Sequence, residues 1–126
     1  MDVNELMKSE DLTKNYEIQD INDNKVMGIL AYIGILILVP ILAARQSKFA
    51  MFHAEQAFPL CVSGAIISIL LFIFGWIPVV GFVFQIIFGL LDIPILILMI
   101  IGIINAANGT CKELPFTGKL RILKLQ

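Results

Sequence analysis

The sequence predicts an all-α membrane protein with three transmembrane helices, the second and third forming a hairpin, plus a short interfacial amphipathic helix in the first loop. Three observations predict it. Hydrophobic residues make up 59% of the 126-residue chain and mean hydropathy is +0.92, more apolar surface than one soluble domain of this length can hide. The apolar residues fall into two long runs, 26–44 and 57–104, and the second carries a single formal charge, Asp92. A turn signal, Trp76-Ile77-Pro78-Val79-Val80-Gly81, divides that second run near its middle.

Residues 1–25 read as an acidic, flexible tail resting near the headgroups. It holds Asp2, Glu5, Glu10, Asp11, Glu17, Asp20 and Asp23, and its scattered apolar positions sustain no helical period. The polar, acidic start does not match a cleavable signal peptide, which has a basic start followed by a short apolar stretch. The transmembrane domain then occupies 26–126. Its first span, 26–44, has roughly 19 residues, enough for a ~30 Å hydrocarbon core at 1.5 Å per residue. Lys25 and Arg45 bracket it, and Pro40 near its end allows a local kink.

The next segment, 45–56, places Phe49, Phe52, His53 and Gln56 at helical spacing and predicts the interfacial helix. Phe49, Phe52 and Trp76 are expected as interfacial anchors, with Lys48 reaching the phosphates. Spans two and three follow at about 57–77 and 83–104, since the 57–104 run is too long for one crossing. The ending, Leu114 to Lys124, is short and basic and reads as a surface-bound cationic segment.

With three spans, the first loop and the C-terminal tail share one side. They hold Arg45, Lys48, Lys112, Lys119, Arg121 and Lys124, against Lys8, Lys14 and Lys25 opposite. The positive-inside rule then puts the C-terminus in the cytoplasm and the N-terminus outside. The expected setting is a prokaryotic cell membrane crossed several times.

Asp92 is the first candidate for chemistry, because an ionised carboxylate at the centre of a span costs about 2.5–3.5 kcal/mol. It serves either as a proton or cation relay or as a carboxyl hydrogen-bonded to a neighbouring helix, with Ser68 or Tyr32 as partner. Pro94 just after it frees the carbonyl of Leu90. His53 and Gln56 are expected to face the bundle and bond its polar end around Asn105 and Asn108, locking the first loop in place. The pairs Gly64/Ser68 and Gly102/Ala106, four apart, let helix backbones approach closely.

No metal site or cofactor is expected: a grouping of His53, Cys61 and Cys111 matches no zinc spacing, and the two cysteines form no CxxC pair. Phosphate loops, nucleophile elbows and HExxH are missing from the sequence, so an enzyme is not expected. Nor does any basic patch with interleaved aromatics point to nucleic acid.

The segment Ser47-Lys48-Phe49-Ala50-Met51-Phe52-His53-Ala54-Glu55-Gln56-Ala57 resembles the S-x-F-x-x-F-H-A-x-Q-(G/A) signature of a family of small prokaryotic multi-pass membrane proteins of unknown function, related to the Tic-type chloroplast import component. The stretches Gly102–Gly109 and Lys112–Lys119 are similar to that family's ending, so the resemblance covers about 26–124. Members often carry arginine where this chain has Met51, which argues against a strongly basic clamp. Asp92 is not part of the family pattern. The resemblance implies a multi-pass helical membrane protein and hints at protein translocation or membrane-complex assembly.

The leading functional expectation is thus a non-enzymatic protein acting through protein–protein contacts within the lipid bilayer, with a membrane-protein partner or as a homo-oligomer. The alternative is a small transporter or channel component with Asp92 as its titratable group. A weaker one is an immunity or stress protein shielding a larger membrane target.

Overall fold

The computed structural model describes residues 11–115 and Thr117. The first part of the acidic tail and the cationic segment after Gly118 lie outside the described residues, so the expectations for them are not addressed below.

A 3-10 turn, Thr13–Asn15, leads into α1 (Ile18–Asp23) and α2 (Lys25–Leu30). After a break come a second 3-10 turn, Gly34–Ile37, and α3 (Leu38–Ala43). Two long helices complete the fold, α4 (Lys48–Phe74) and α5 (Val80–Ala107). The described residues contain no strand; one antiparallel bridge joins Asp11 to Lys112.

Among the described residues, only α4 and α5 are long and apolar enough to cross a membrane. At 1.5 Å per residue their 27 and 28 residues extend about 40 Å, more than a ~30 Å core demands. They pack along each other as a hairpin. Its connection falls at 75–79, inside the segment the sequence marks as the turn. The turn is tight: Val80 N–H bonds the Pro78 carbonyl at 2.7 Å, and Val79 between them takes φ 66°, ψ −60°. That is a γ-turn of the strained hand, carried by a β-branched residue. A Cβ on Gly81 would meet the Gly75 carbonyl, so the crossing requires glycine there. Trp76 stays largely exposed at this end.

The expected span at 26–44 is not one helix. Ile33 takes φ −107°, ψ 73° and Gly34 has φ +52°, a left-handed conformation natural for glycine, and together they break the helical path. On either side the chain doubles back: α2 packs against α3. Ala44, just past α3, lies in one buried cluster with Met51 and Ala50 of α4, and Met27 of α2 packs against it. The segment enters and leaves at the same end of the bundle as a re-entrant hairpin. Its helical pieces, the longer running Gly34–Ala43, reach only about 15 Å.

Two further expectations are corrected. Residues 48–56 are not a separate interfacial helix but the opening turns of α4. Residues 11–24 are not a loose tail: Leu12 N–H bonds the Cys111 carbonyl at 2.8 Å, and Ile21 is buried with Phe49, Phe52 and Cys111. The N-terminal described residues, the α3–α4 loop and the chain after α5 therefore meet at one end of the bundle. The expected arrangement of three spans with the two ends of the chain on opposite sides finds no support in this packing, in which the described residues on both flanks of the helices share one end.

Candidate functional site: a buried latch and an open groove

At that shared end the opening of α4 is the hub. Ser47 is its N-cap, with Oγ accepting the Ala50 N–H at 3.1 Å. Asp20 of α1 adds a second cap from a distance: its Oδ2 accepts the Phe49 N–H at 3.0 Å and its Oδ1 accepts Ser47 Oγ at 2.5 Å. A carboxylate here also meets the positive end of the helix dipole.

Phe49, Phe52, His53 and Gln56 then point inward, and all are essentially fully buried. Phe49 and Phe52 are thus not lipid anchors. Their rings pack edge-on against the His53 imidazole, with centroids 4.8 and 5.2 Å away, and Tyr16 packs on Phe52. Lys48 is exposed at the helix start.

His53 joins three elements. Its Nε2 lies 2.9 Å from the Thr110 carbonyl, which can only accept, so Nε2 carries the proton and donates. Its Nδ1 is left as the acceptor of the Tyr32 hydroxyl, 2.7 Å away. One turn on, Gln56 Oε1 accepts the Leu114 N–H at 3.0 Å. The sequence-predicted partners are therefore displaced. His53 and Gln56 hold the backbone at 110 and 114, not the side chains of Asn105 and Asn108.

Asn105 contributes its carbonyl, which accepts both the N–H and the Oγ1 of Thr110. With Gly109 at φ +72° and its N–H on the Ala106 carbonyl, this is the Schellman closure of α5. Asn108 is the exposed C-cap residue. Tyr32, proposed as a partner of Asp92, belongs to this latch instead, packed on Gly102, where a Cβ would fall within its ring.

The second feature lies farther along α4 and α5. A groove of about 900 Å³ runs between the re-entrant hairpin and the two long helices. Gly34, Cys61, Gly64, Ser68, Gly89 and Asp92 line it, among mainly aliphatic walls. Ser68 and Asp92 share this groove, but no hydrogen bond joins them. The Cys61 thiol reaches toward the Gly34 carbonyl at 3.6 Å. Built Cβ atoms at Gly34, Gly64 and Gly89 meet nothing within 4 Å, so all three open onto unfilled space. Gly64/Ser68 is therefore not an internal packing pair, whereas Gly102/Ala106 is, against Tyr32 and Gly28.

Cys111 is buried beside Phe49 and Phe52, away from the groove residue Cys61. Among the described residues no three His, Cys, Asp or Glu side chains come together as a metal site.

Sequence reasoning missed Asp20, hidden in what looked like a solvated tail, and the 110–114 backbone. Ser47 just before an apolar run and the Asn108-Gly109 dipeptide just after one are the sequence signals that could have marked the helix end points.

The sequence model of a family described as the magnetosome magnetite crystal formation protein family, MamF/MmsF, matches residues 23–123. A UPF0132 membrane protein of Methanocaldococcus jannaschii is 34% identical over 100 residues, 78% of this chain and 67% of that protein. Magnetosome protein MamF of Paramagnetospirillum magneticum is 30% identical over 93 residues, 74% of this chain and 78% of that one. Magnetosome protein MmsF of the same organism is 29% identical over 90 residues, 71% and 78% of the two chains. No solved structure matches the chain. Two membrane-capable helices, a relative named as a membrane protein and a match running from the end of α1 past the latch agree: the chain belongs to the MamF/MmsF family of prokaryotic membrane proteins.

Proposed function

We propose that this protein is a non-enzymatic, membrane-embedded docking subunit that holds another membrane protein in its lateral groove. The observation that carries this reading is a division of labour among polar groups. Those at the shared end, Asp20, Ser47, Tyr32, His53 and Gln56, are engaged in internal bonds that fix the fold. Ser68 and Asp92 instead face an unfilled groove on helices suited to crossing the bilayer. A polar group at that depth is costly without a partner. A groove open along its side admits a neighbour laterally and does not wall off a path from face to face, which favours docking over conduction.

The family description speaks of magnetite crystal formation and two relatives are named magnetosome proteins, while the archaeal relative's name says only that it is a membrane protein. A membrane scaffold is the task that suits all of them. For this chain, complex assembly is the specific form we favour. A translocation role is supported only by the resemblance of the 47–57 segment to the Tic-related proteins.

The same reading sets the orientation. Lys14, Lys25, Arg45, Lys48 and Lys112 gather at the shared end, Lys8, Lys119, Arg121 and Lys124 adjoin it in sequence, and the 75–79 turn has no cation. The positive-inside rule then assigns that whole end to the cytoplasm.

In-membrane photo-cross-linking from Ala65 and Leu96, on the groove walls, tests the function. Protein adducts are expected, and Asp92→Leu should deplete them. Ion or pH-driven flux in reconstituted vesicles that disappears in Asp92→Asn would instead establish the transporter.

A further inference from the structure

We infer that the groove receives a transmembrane helix of a different protein, one that carries a basic residue at mid-membrane depth and pairs it with Asp92. The inference rests on the docking reading and names the partner's chemistry.

Asp92 is the sole formal charge between Glu55 and Lys112. It stands near the midpoint of α5, about 20 Å from either helix end at 1.5 Å per residue. Its side chain is exposed on the groove wall. Ionisable residues at such depth pair with an opposite charge or line a wet cavity. This chain supplies no opposite charge. Its cations stop at Lys48 and resume at Lys112, and no lysine stem covers the distance from the shared end. The cation must therefore come from a helix of different sequence.

The remaining polar atoms of the groove select the same partner. A carboxylate and a backbone carbonyl only accept hydrogen bonds. Asp92 brings two such oxygens, and Gly34 brings a carbonyl that meets the weak Cys61 thiol at 3.6 Å. Ser68 adds a hydroxyl oxygen from the α4 wall. Guanidinium and ammonium groups are donors without acceptors, which complements this set, and charge-assisted bonds are the stronger kind. Arginine fits better than lysine, because its planar fork can hold the carboxylate and still present a donor to Ser68. An amide or hydroxyl on the partner would leave the charge uncompensated.

A helix can also come close enough. Built Cβ atoms at Gly34, Gly64 and Gly89 meet nothing within 4 Å, and small residues let helix backbones approach. The aliphatic walls, Ile93 and Leu96 among them, suit the apolar remainder of such a helix. A phospholipid can fill the volume, but its ammonium stays in the headgroup layer, about 15 Å from the bilayer centre.

The test uses the full-length protein, donor-labelled, in phosphatidylcholine vesicles. Its probe is an acceptor-labelled synthetic helix of about 21 leucines and alanines with a varied central residue. The arginine-centred helix should associate roughly tenfold more tightly than leucine- or glutamine-centred ones, the size of one charge-assisted contact. Asp92→Asn should erase that preference while leaving the leucine-centred helix unaffected. Asp92→Arg should transfer the preference to a glutamate-centred helix, a reversal that a purely structural role does not produce. Ser68→Ala should cut the arginine preference roughly threefold, the size of one intramembrane hydrogen bond. Equal association of the arginine- and leucine-centred helices with the wild type overturns the inference. If Ala65→Trp, which fills the groove, then displaces both equally, the docking reading stands without the cation. If no helix binds, the inference falls as well. Protein adducts from the groove photo-cross-linkers would then keep the docking reading, and lipid adducts alone would remove it.

Discussion

Tyr32 lies against the backbone of Gly102 with its hydroxyl on His53, and a methyl group at 102 would occupy the space of the ring. Gly28 is a milder case: a Cβ there would sit 3.0 Å from the Phe49 ring, 3.2 Å from Ala106 and 3.3 Å from His53. Overfilling a packed site costs about 1–3 kcal/mol, and the ring at Gly102 cannot move without releasing His53. Gly102→Ala is therefore expected at or above the top of that range and Gly28→Ala near its bottom. Unfolding in detergent mixtures of increasing SDS fraction measures the order, and equal losses would show that the Tyr32 contact is not the limiting one. The sequence made Gly102/Ala106 legible as a small-residue pair, since spacing of four is local information. What the pair accommodates was not legible, because Tyr32 sits seventy positions away and its hydroxyl could equally serve Asp92. The same limit explains His53 and Gln56. Their inward orientation follows from periodicity, but backbone acceptors and donors such as the Thr110 carbonyl and Leu114 N–H leave no side-chain signature.

Among elements, α4 shows how a long apolar helix is held at its polar end. Ser47 supplies the local cap and Asp20 bonds both that cap and the Phe49 N–H, tying α1 to the start of the helix. Asp20→Ala removes both contacts and is expected to cost about 1–2 kcal/mol. Amide hydrogen exchange at Phe49 should accelerate, with helix amides past Cys61 unchanged. Asp20→Asn, which keeps an acceptor but loses the charge facing the helix dipole, should fall between. Unchanged exchange at Phe49 in Asp20→Ala would mean that Ser47 alone caps α4. Element type was largely readable: the two long helices and their connection near Pro78 follow from length, hydropathy and turn residues. The re-entrant hairpin was not. Hydropathy along 26–44 is continuous, and a count of apolar residues contains no sign of a reversal of direction. The local clue was Gly34 amid isoleucines, which apolar spans commonly tolerate.

For the whole molecule, the re-entrant segment decides which faces of the membrane the chain meets. An even number of crossings carries all nine Lys and Arg to one side, whereas three crossings divide them six against three. The charge rule takes its input from the number of crossings, so the orientation it gives hangs on whether the 26–44 segment is counted as a span or as a hairpin. Single cysteines at exposed positions separate the two arrangements. In sealed spheroplasts an impermeant maleimide should label Pro78→Cys, while Asn15→Cys, Gln46→Cys and Lys112→Cys should react only after lysis. Labelling of Asn15→Cys before lysis would restore the three-span arrangement. The native Cys111 is unsuited to this role, for a reason the fold supplies. It is buried beneath Phe49 and Phe52. That burial, reinforced by the charges of Asp11 and Asp20, pushes its thiol from the ordinary 9.0 up to about 12. The fold therefore favours the protonated thiol, so the stability it contributes is complete below pH 9 and is lost as pH rises toward 12. Cys111 should remain unlabelled at neutral pH even in lysed membranes, since the thiolate is the reacting form. It should become reactive only at strongly alkaline pH, or when Asp20→Ala loosens the segment that covers it. Rapid neutral-pH labelling in the intact wild type would show that the N-terminal segment does not close over this end, and the shared end of the bundle would lose one of its structural supports.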